Sequence, residues 1–269
     1  MSDPQNGNKG MIRRFLDLPP DSVPKTVFVA VALCLVASMA VSSVAVYLRP
    51  VQEVNKLKDK QVNILEVAGM YEPGIDVAEA FAVFKPHVLE LENGAFTDRF
   101  DPLTFDALAA ADDPELSVAL ADDPASIGRK SRFVTVYLLR DEKGALDKVI
   151  LPIHGYGLWS TLYGFIALEQ NGNDIYGLQF YQHAETPGLG AEVDNPRWKA
   201  QWRDKKVADE SGKLQITVAK SVPAAGQEFH VDALSGATLT SRGVDNLVRF
   251  WLSDAGYGPF LEKLKAGTI

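Results

Sequence analysis

The longest hydrophobic pattern in the chain is an uncharged run near its beginning, from Thr26 to Leu48. As a helix rising about 1.5 Å per residue, this run would extend about 34 Å, slightly more than the roughly 30 Å hydrocarbon core of a bilayer. Small residues at Ala37, Ala40 and Ala45 leave a cleaved signal peptide as an alternative. Signal peptides usually have only ~7–15 apolar residues, however. We therefore predict one uncleaved transmembrane helix over residues 26–48.

The charges on the two sides of this run do not fix its orientation. Basic residues lie on both sides: Lys9, Arg13, Arg14 and Lys25 precede the run, and Arg49, Lys56, Lys58 and Lys60 follow it. An excess of Lys and Arg marks the cytoplasmic side of a membrane segment, and here neither side has an excess. No second hydrophobic run of comparable length follows, so we expect residues 51–269 to form a soluble part on one side of the membrane.

The segment after the membrane run has patterns typical of helices and loops, and we assign residues 49–130 to a juxtamembrane region. Apolar positions from Val51 to Ala68 recur at roughly helical spacing. The predicted elements are a helix that ends at Gly69, a second helix that opens with a capping box at Asp76 and Glu79 and runs to Phe84 before Pro86, and loops with one or two short helices over 92–128.

From Arg132 onward the pattern changes to short runs of β-branched and aromatic residues. Two hairpins are predicted: FVTVYLL and KVILPI around the turn DEKG, and TLYGFIALE and IYGLQFYQ around the turn NGND. Further strand candidates are LQITVAK and EFHVDAL. A final helix follows, with Val244, Leu247, Val248 and Trp251 on one face. Residues 131–269 therefore read as an α+β domain on an antiparallel sheet with flanking helices.

Charge and composition narrow the classes of function. The formal net charge is −8, which argues against nucleic acid as a partner because phosphate binding needs clustered positive charge. The only cysteine, Cys34, excludes an intramolecular disulfide and a cysteine-ligated cluster from this chain alone. The four histidines are scattered, so we expect structural roles for them and no metal site.

The stretch with the clearest chemical meaning is Asp232-Ala-Leu-Ser-Gly-Ala-Thr238, between a predicted strand and the final helix. Gly236 and Ala237 leave room for a ligand to approach the backbone, and Thr238 lies at or just inside the start of the helix. Free N–H groups and the helix dipole favour an anion such as phosphate there. The alternative is that Ser235 and Thr238 only cap an ordinary helix, which is a common use of these residues.

The whole stretch resembles the flavinylation motif Asp-x-x-Ser/Thr-Gly-Ala-Thr, in which a dedicated flavin transferase joins FMN to the final threonine through a phosphodiester. A second block is HGYGLWS from His154 to Ser160, followed after two strands by HAETPGLG from His183 to Gly190. Together these blocks resemble the FMN-binding domain of the C subunits of sodium-translocating NADH:quinone reductases, over about residues 11–265.

The resemblance implies a role for each matching residue. Thr238 would be the covalent site, within a turn formed by Asp232, Ser235, Gly236 and Ala237. One side of the pocket would be the ring-facing loop with Glu185, Thr186, Gly188 and Leu189, and the other side would be Trp159 and Ser160. Taken alone, Pro187, Gly188 and Gly190 also suit a simple turn, and Trp159 suits a core aromatic.

The function implied by the resemblance is electron transfer inside a membrane complex. Thr238-bound FMN would relay electrons from NADH towards quinone, coupled to sodium export, with other subunits and a flavin transferase as partners. The domain would face the periplasm from the inner membrane, with residues 1–25 in the cytoplasm. No catalytic residue, NADH site or quinone site is expected on this chain. Two alternatives stay open: the equivalent FMN subunit of the ferredoxin:NAD oxidoreductase complex, and a membrane-anchored flavin sensor or assembly module.

Overall fold

The computed structural model describes Pro19 and residues 22–269, so most of the predicted segment 1–25 lies outside the described residues. The chain divides into two compact units, Met1–Leu57 and Lys58–Ile269. The helices are α1 (Val23–Val67), α2 (Val77–Phe81), α3 (Ala107–Ala111), α4 (Pro196–Lys199), α5 (Thr238–Leu252) and α6 (Gly258–Lys265). Short 3₁₀ turns lie at Gly190–Asp194, Ala200–Trp202 and Gln227–Phe229.

Helix α1 is long and apolar enough to cross a membrane, and the most apolar 18 residues in it are not buried. It joins the predicted helices over 26–48 and 51–68 into one element, with Pro50 inside. An internal proline removes one backbone hydrogen bond and costs about 3 kcal/mol. The helix nevertheless continues beyond Pro50. Its last turns are held by packing, since Ile64 and Leu65 are completely buried.

The second unit is built on a sheet of short strands. The strands are β1 (Phe84–Glu90), β2 (Ala95–Thr97), β3 (Ser117–Ala119), β4 (Arg129–Ser131), β5 (Phe133–Arg140), β6 (Leu146–Tyr156), β7 (Thr161–Glu169), β8 (Asp174–Gln182), β9 (Lys205–Lys206), β10 (Thr217–Ala219) and β11 (His230–Asp232). Seven of them form one sheet in the order β2-β1-β5-β6-β7-β8-β9, and every neighbouring pair is antiparallel. The other four form a parallel pair, β10 with β11, and an antiparallel pair, β3 with β4.

Both faces of the large sheet are covered, because its side chains alternate between two cores. Along β5, Val134, Val136 and Leu138 point into the larger core. Tyr137 and Leu139 point into the smaller one. Helices α5 and α6 contribute to the larger core, and the end of α1 contributes to the smaller core. This alternation with a period of two is the pattern of a strand that is buried on both faces.

The two predicted hairpins are confirmed as β5–β6 and β7–β8. The later strand candidates are confirmed as β10 and β11, although they lie outside the large sheet. Residues 92–128 include α3, as expected, and also β2 and β3, which the pattern did not predict. The sheet therefore begins at Phe84, within the segment that the sequence assigns to the juxtamembrane region.

The prediction of a helix from Asp76 to Phe84 is wrong for its second half. Asp76 does cap it, accepting hydrogen bonds from the backbone N–H groups of Ala78 and Glu79. However, α2 ends at Phe81, and Phe84 begins strand β1, which includes Pro86. Proline is tolerated in a strand where one side is free of ladder bonds. Strand β2 pairs only with Val88–Glu90, so β1 is an edge at Pro86.

Candidate functional site

The start of helix α5 presents a set of backbone hydrogen-bond donors. Thr238 is the first helical residue, and Ala237 precedes it without any side-chain cap. The first helical bond runs from the N–H of Ser241 to the carbonyl of Ala237 at 2.9 Å. Among the described residues, the N–H groups of Thr238, Leu239 and Thr240 have no hydrogen-bond partner. Unpaired donors at a helix start form an anion site together with the helix dipole.

The capping alternative for Ser235 and Thr238 does not match this geometry. Neither side chain makes a hydrogen bond within the described part of the chain, and both residues are exposed. Ser241 fixes the turn instead: its hydroxyl accepts from the N–H of Leu234 and donates to the carbonyl of Ala237, both at 2.9 Å. The Thr238 hydroxyl is therefore left accessible at a rigid helix start.

Gly236 allows this turn to lie close to the loop that contains Leu189. Its φ of 76° lies in the left-handed region, which glycine adopts without strain. A Cβ atom on Gly236 would lie 3.2 Å from Cδ2 of Leu189. The turn before Thr238 and the ETPGLG loop (residues 185–190), which were predicted to share a site, therefore lie against each other.

Glu185 holds three segments of the site together. Its Oε1 accepts the N–H groups of Leu158 and Trp159 at 3.0 Å and that of Ser160 at 3.3 Å. Its Oε2 accepts the hydroxyl of Thr240 at 2.6 Å. The residue is only 5% exposed. The carboxylate thus links the ETPGLG loop (residues 185–190) to the GLWS loop (residues 157–160) and to the first turn of α5, which is a positioning role within the site.

The electrostatics of Glu185 follow from these contacts. Burial raises the pKa of its carboxyl group, whereas hydrogen bonds from Thr240 and from the N–H groups of residues 158–160 lower it. The net result is a pKa below the ordinary value, so the group is charged at neutral pH. Glycines make room for it: a Cβ on Gly157 would lie 2.6 Å from Oε1, and one on Gly190 would lie 2.6 Å from Oε2.

Other predicted residues form the outer surface of the site. Trp159 is 65% exposed and Leu189 is 44% exposed, as is the unpredicted Leu239 at 52%. Thr186 and Gly188 are exposed in the same loop. Trp159, Leu189 and Leu239 therefore present exposed apolar surface in the segments around Thr238, which we call the shelf, and Trp159 is not a core residue. The site suits one face or edge of a planar group.

Hydrogen bonds behind the shelf fix the two loops. The hydroxyl of Ser160 accepts the N–H of Ala184 at 2.7 Å. His183 lies 2.8 Å from the carboxylate of Asp194, and its other ring nitrogen accepts the N–H of Glu185 at 3.2 Å. Ser160 thus links the two loops, because its hydroxyl accepts a backbone N–H of the other loop.

The first residue of the motif, Asp232, is fixed through its backbone. Its carbonyl accepts the indole N–H of Trp198 at 2.8 Å, and its N–H donates to the side chain of Gln201 at 3.0 Å. Its carboxylate lies 3.0 Å from the ring of His230, which is buried. Sequence reasoning missed Gln201 and Trp198, because nothing in the local pattern links them to a motif thirty residues away. Sequence reasoning also missed Thr240, although it lies only two residues after the end of the motif.

Two cavities in the described part of the chain lie away from Thr238. One cavity of about 320 Å³ is lined by Tyr176, Lys199 and Arg203, among others. A second of about 260 Å³ lies near Asn246 and Arg249. Neither touches Thr238. Within the described part of the chain, no group of three or more potential ligands could hold a metal ion.

Comparison with known proteins gives this arrangement a context. A family model described as the FMN-binding domain matches residues 157–253, which include both loops and Thr238. The chain is 50% identical over 256 residues to the C subunit of the Na(+)-translocating NADH-quinone reductase of Pseudomonas aeruginosa, covering 92% of this chain and 98% of that protein. It is 45% identical to the same subunit of Yersinia pestis, covering 93% and 96%.

Solved structures agree with these relatives. A crystal structure of NqrC from Shewanella oneidensis is similar, with a TM-score of 0.73 and 35% identity. The match covers 79% of this chain and 99% of that one. A crystal structure of the corresponding subunit from Parabacteroides distasonis matches with a TM-score of 0.62 and 30% identity, covering 80% and 96%. The expected fold class, an antiparallel-sheet FMN-binding domain after one apolar helix, is confirmed.

Proposed function

The chain belongs to the family of C subunits of Na(+)-translocating NADH-quinone reductases, and on this premise we propose that it relays electrons through an FMN attached covalently to Thr238. Membership makes it an FMN-binding subunit of an oxidoreductase complex. The observation that carries the finer proposal is the start of α5, where Thr238 is exposed beside N–H groups that have no partner among the described residues. These donors fit a phosphodiester on the Thr238 hydroxyl.

The proposed attachment makes Thr238 a nucleophile in a phosphoryl transfer. Its Oγ1 forms a bond to the phosphorus of an activated donor, a phosphoric anhydride of FMN. The bond from that phosphorus to the donor's second phosphate breaks, and the second phosphate group leaves. An anhydride is needed because direct condensation of FMN with an alcohol would release water and run uphill in water. We assign the base that takes the hydroxyl proton to the flavin transferase, since no described residue is hydrogen-bonded to the hydroxyl of Thr238.

FMN can exchange one or two electrons, which suits a relay between unlike redox centres. We propose that the loop with Thr186, Gly188 and Leu189 lies along the ring on one side, and that Trp159 lies on the other. Ser160 and Glu185 would hold the two loops in place, while Asp232, Ser235, Gly236 and Ala237 form the turn that presents Thr238. Because the shelf is open, a ring there would stay accessible to donor and acceptor centres on other subunits.

A covalent tether suits an open site of this kind. A shelf that covers only part of a cofactor offers little burial to retain it. A tethered cofactor, in contrast, remains at high local concentration beside its partners. Openness and covalent attachment thus support the same function.

The membrane arrangement is also part of the proposal. We propose that residues 26–48 of α1 cross the bacterial inner membrane once, with residues 1–25 in the cytoplasm. The juxtamembrane region over 49–130 and the FMN-binding domain over 131–269 would lie in the periplasm, where the flavin transferase would act. The complex would oxidise NADH, reduce ubiquinone and export sodium, with the NADH and quinone sites on other subunits. The length and exposure of α1 support the single span.

The alternatives are less well supported. The C subunits of the sodium-translocating complex match over nearly their whole length, which favours that complex over the ferredoxin:NAD oxidoreductase. A sensor or assembly module would use the shelf without a covalent bond. Mass spectrometry of the Thr238 peptide separates this class, because an unmodified threonine in the native host would favour the sensor.

The direct test is Thr238→Ala in the full chain, expressed together with a flavin transferase. Fluorescence of the denatured protein band under ultraviolet light should be lost, while expression and membrane insertion stay the same. Thr268→Ala is a matched control, because Thr268 is an exposed threonine that lies after the end of α6, on a different segment from Thr238. Covalent flavin retained in Thr238→Ala would place the attachment site on another residue.

A further inference from the structure

Arg242 lies one helical turn after Thr238 on α5 and is exposed. Residues four apart on a helix are neighbours on its surface, with Cβ atoms about 5–6 Å apart. Long helical side chains lean towards the N-terminus of the helix, so the turn that contains Thr238 is within reach of the Arg242 side chain. No described residue makes a hydrogen bond or an ion pair with the side chain of Arg242.

Among the described residues, Arg242 has no acidic side chain within ion-pair distance. The positive end of the helix dipole disfavours cations near a helix start, and the first turn of α5 has no acidic residue. Asp245, the next acid along the helix, is directed elsewhere: its Oδ1 accepts from the hydroxyl of Thr217 and from the N–H of Val218. The carboxylate of Asp232 is paired with His230.

We propose that Arg242 binds the phosphodiester that joins FMN to Thr238. This inference rests on the proposed function and adds a residue to the same site. A guanidinium donates two parallel N–H bonds to phosphate oxygens, and its charge balances the single negative charge of a phosphodiester. Arg242 is a positioning residue, which attracts the phosphoryl group and then fixes it over the helix start, while Thr238 makes the bond.

The test uses the full chain with Arg242→Gln, Arg242→Lys and the control Lys265→Gln, which removes an exposed cation from α6. Covalent FMN is followed over time by fluorescence of the denatured band after the flavin transferase is induced. Because an exposed ion pair is weak, the initial rate should fall about two- to fivefold in Arg242→Gln and less in Arg242→Lys. Lys265→Gln should match the wild type.

A second measurement separates a charge contact from a purely structural role. The ³¹P resonance of the phosphodiester, recorded on fully flavinylated protein, should shift in Arg242→Gln. The wild-type resonance should move towards that position at about 1 M salt, where the screening length is only about 3 Å. Lys265→Gln should leave the resonance unchanged.

The outcomes distinguish this inference from the proposed function. If the wild type contains Thr238-bound FMN and Arg242→Gln equals it in both rate and ³¹P shift, the role of Arg242 is overturned and the attachment stands. If the wild type with its transferase has no flavin on Thr238, both are overturned.

Discussion

Removing the carboxylate of Glu185 should loosen three segments of the flavin site at once. The carboxylate accepts three backbone N–H groups and the hydroxyl of Thr240, which is 0% exposed. Hydrogen bonds to a charged group contribute about 1.5–3 kcal/mol each, but water can reach some of the freed N–H groups in the half-buried GLWS loop. We therefore expect Glu185→Ala to lower the free energy of unfolding by about 3–5 kcal/mol.

Glu185→Gln is the more specific variant, because it keeps the shape of the side chain. The amide oxygen still accepts from the GLWS loop, and the Thr240 hydroxyl can turn to accept from the amide nitrogen. Only the charge is lost, so we expect a loss of about 1–2 kcal/mol. The difference between wild type and Glu185→Gln should also depend on pH. Since the folded-state pKa of Glu185 is lowered, its stabilisation is present above the ordinary pKa of 4.5 and is lost as the pH falls below it.

The assay is urea unfolding of the full chain in detergent, followed by tryptophan fluorescence between pH 7 and pH 3. Covalent flavin incorporation and the flavin midpoint potential are measured on the same samples. We expect slower incorporation in Glu185→Ala, because Thr240 and the start of α5 lose their anchor. A Glu185→Ala protein within about 0.5 kcal/mol of wild type would refute the positioning role, since that is the ordinary range of a surface substitution.

Three further predictions concern other contacts in the domain. Gly190→Ala should resemble Glu185→Ala in stability and incorporation, because its Cβ would lie 2.6 Å from the Glu185 carboxylate. Leu189→Glu should change the flavin midpoint potential or reduce incorporation, because it puts a negative charge on the shelf; a redox titration and band fluorescence measure both. Tyr257→Phe should lower the unfolding free energy by about 1 kcal/mol in urea, because it removes a buried 2.6 Å hydrogen bond to the carbonyl of Pro152.

Controls for these variants come from the same chain. Gly177→Ala is matched to Gly190→Ala, because its Cβ would approach the nearest atom only to 3.2 Å. Leu103→Glu is matched to Leu189→Glu, since Leu103 is 72% exposed in the 92–128 segment. If the flavin midpoint potentials of Leu189→Glu and Leu103→Glu both equal that of wild type, the loop that contains Leu189 does not contact the flavin. Equal stability of Tyr257→Phe and wild type would show that the buried carbonyl finds another donor.

Much of the sheet could be predicted from the sequence, because its central strands form hairpins whose partners are adjacent in the chain. The turns DEKG and NGND end one strand and begin the next. Strand β1 was missed for the opposite reason. Its partner β5 is remote in sequence. Pro86 predicts a break in a strand that is paired on both sides, and the sequence does not show that β2 stops short of Pro86. The continuity of α1 through Pro50 was also missed, because the hydrophobic patterns on the two sides of the proline predict two separate helices.

The site was predictable as a motif but not as an assembly. The composition of the Asp232–Thr238 stretch predicts a helix start that is open to an anion, and the structure has Thr238 at that start. The buried role of Glu185 was not predictable, because its four donors come from segments that only the fold brings together. The exposure of Trp159 was not predictable either, because a tryptophan in an apolar context is usually in the core.

Peptide mass spectrometry of the full chain, isolated from the membranes of its own host, is the decisive measurement for covalent attachment of FMN. We predict that the peptide containing Thr238 has the added mass of one FMN phosphoryl group and that fragmentation locates it on the threonine oxygen. A bare Thr238 peptide, or flavin mapped to a different side chain, would contradict this assignment.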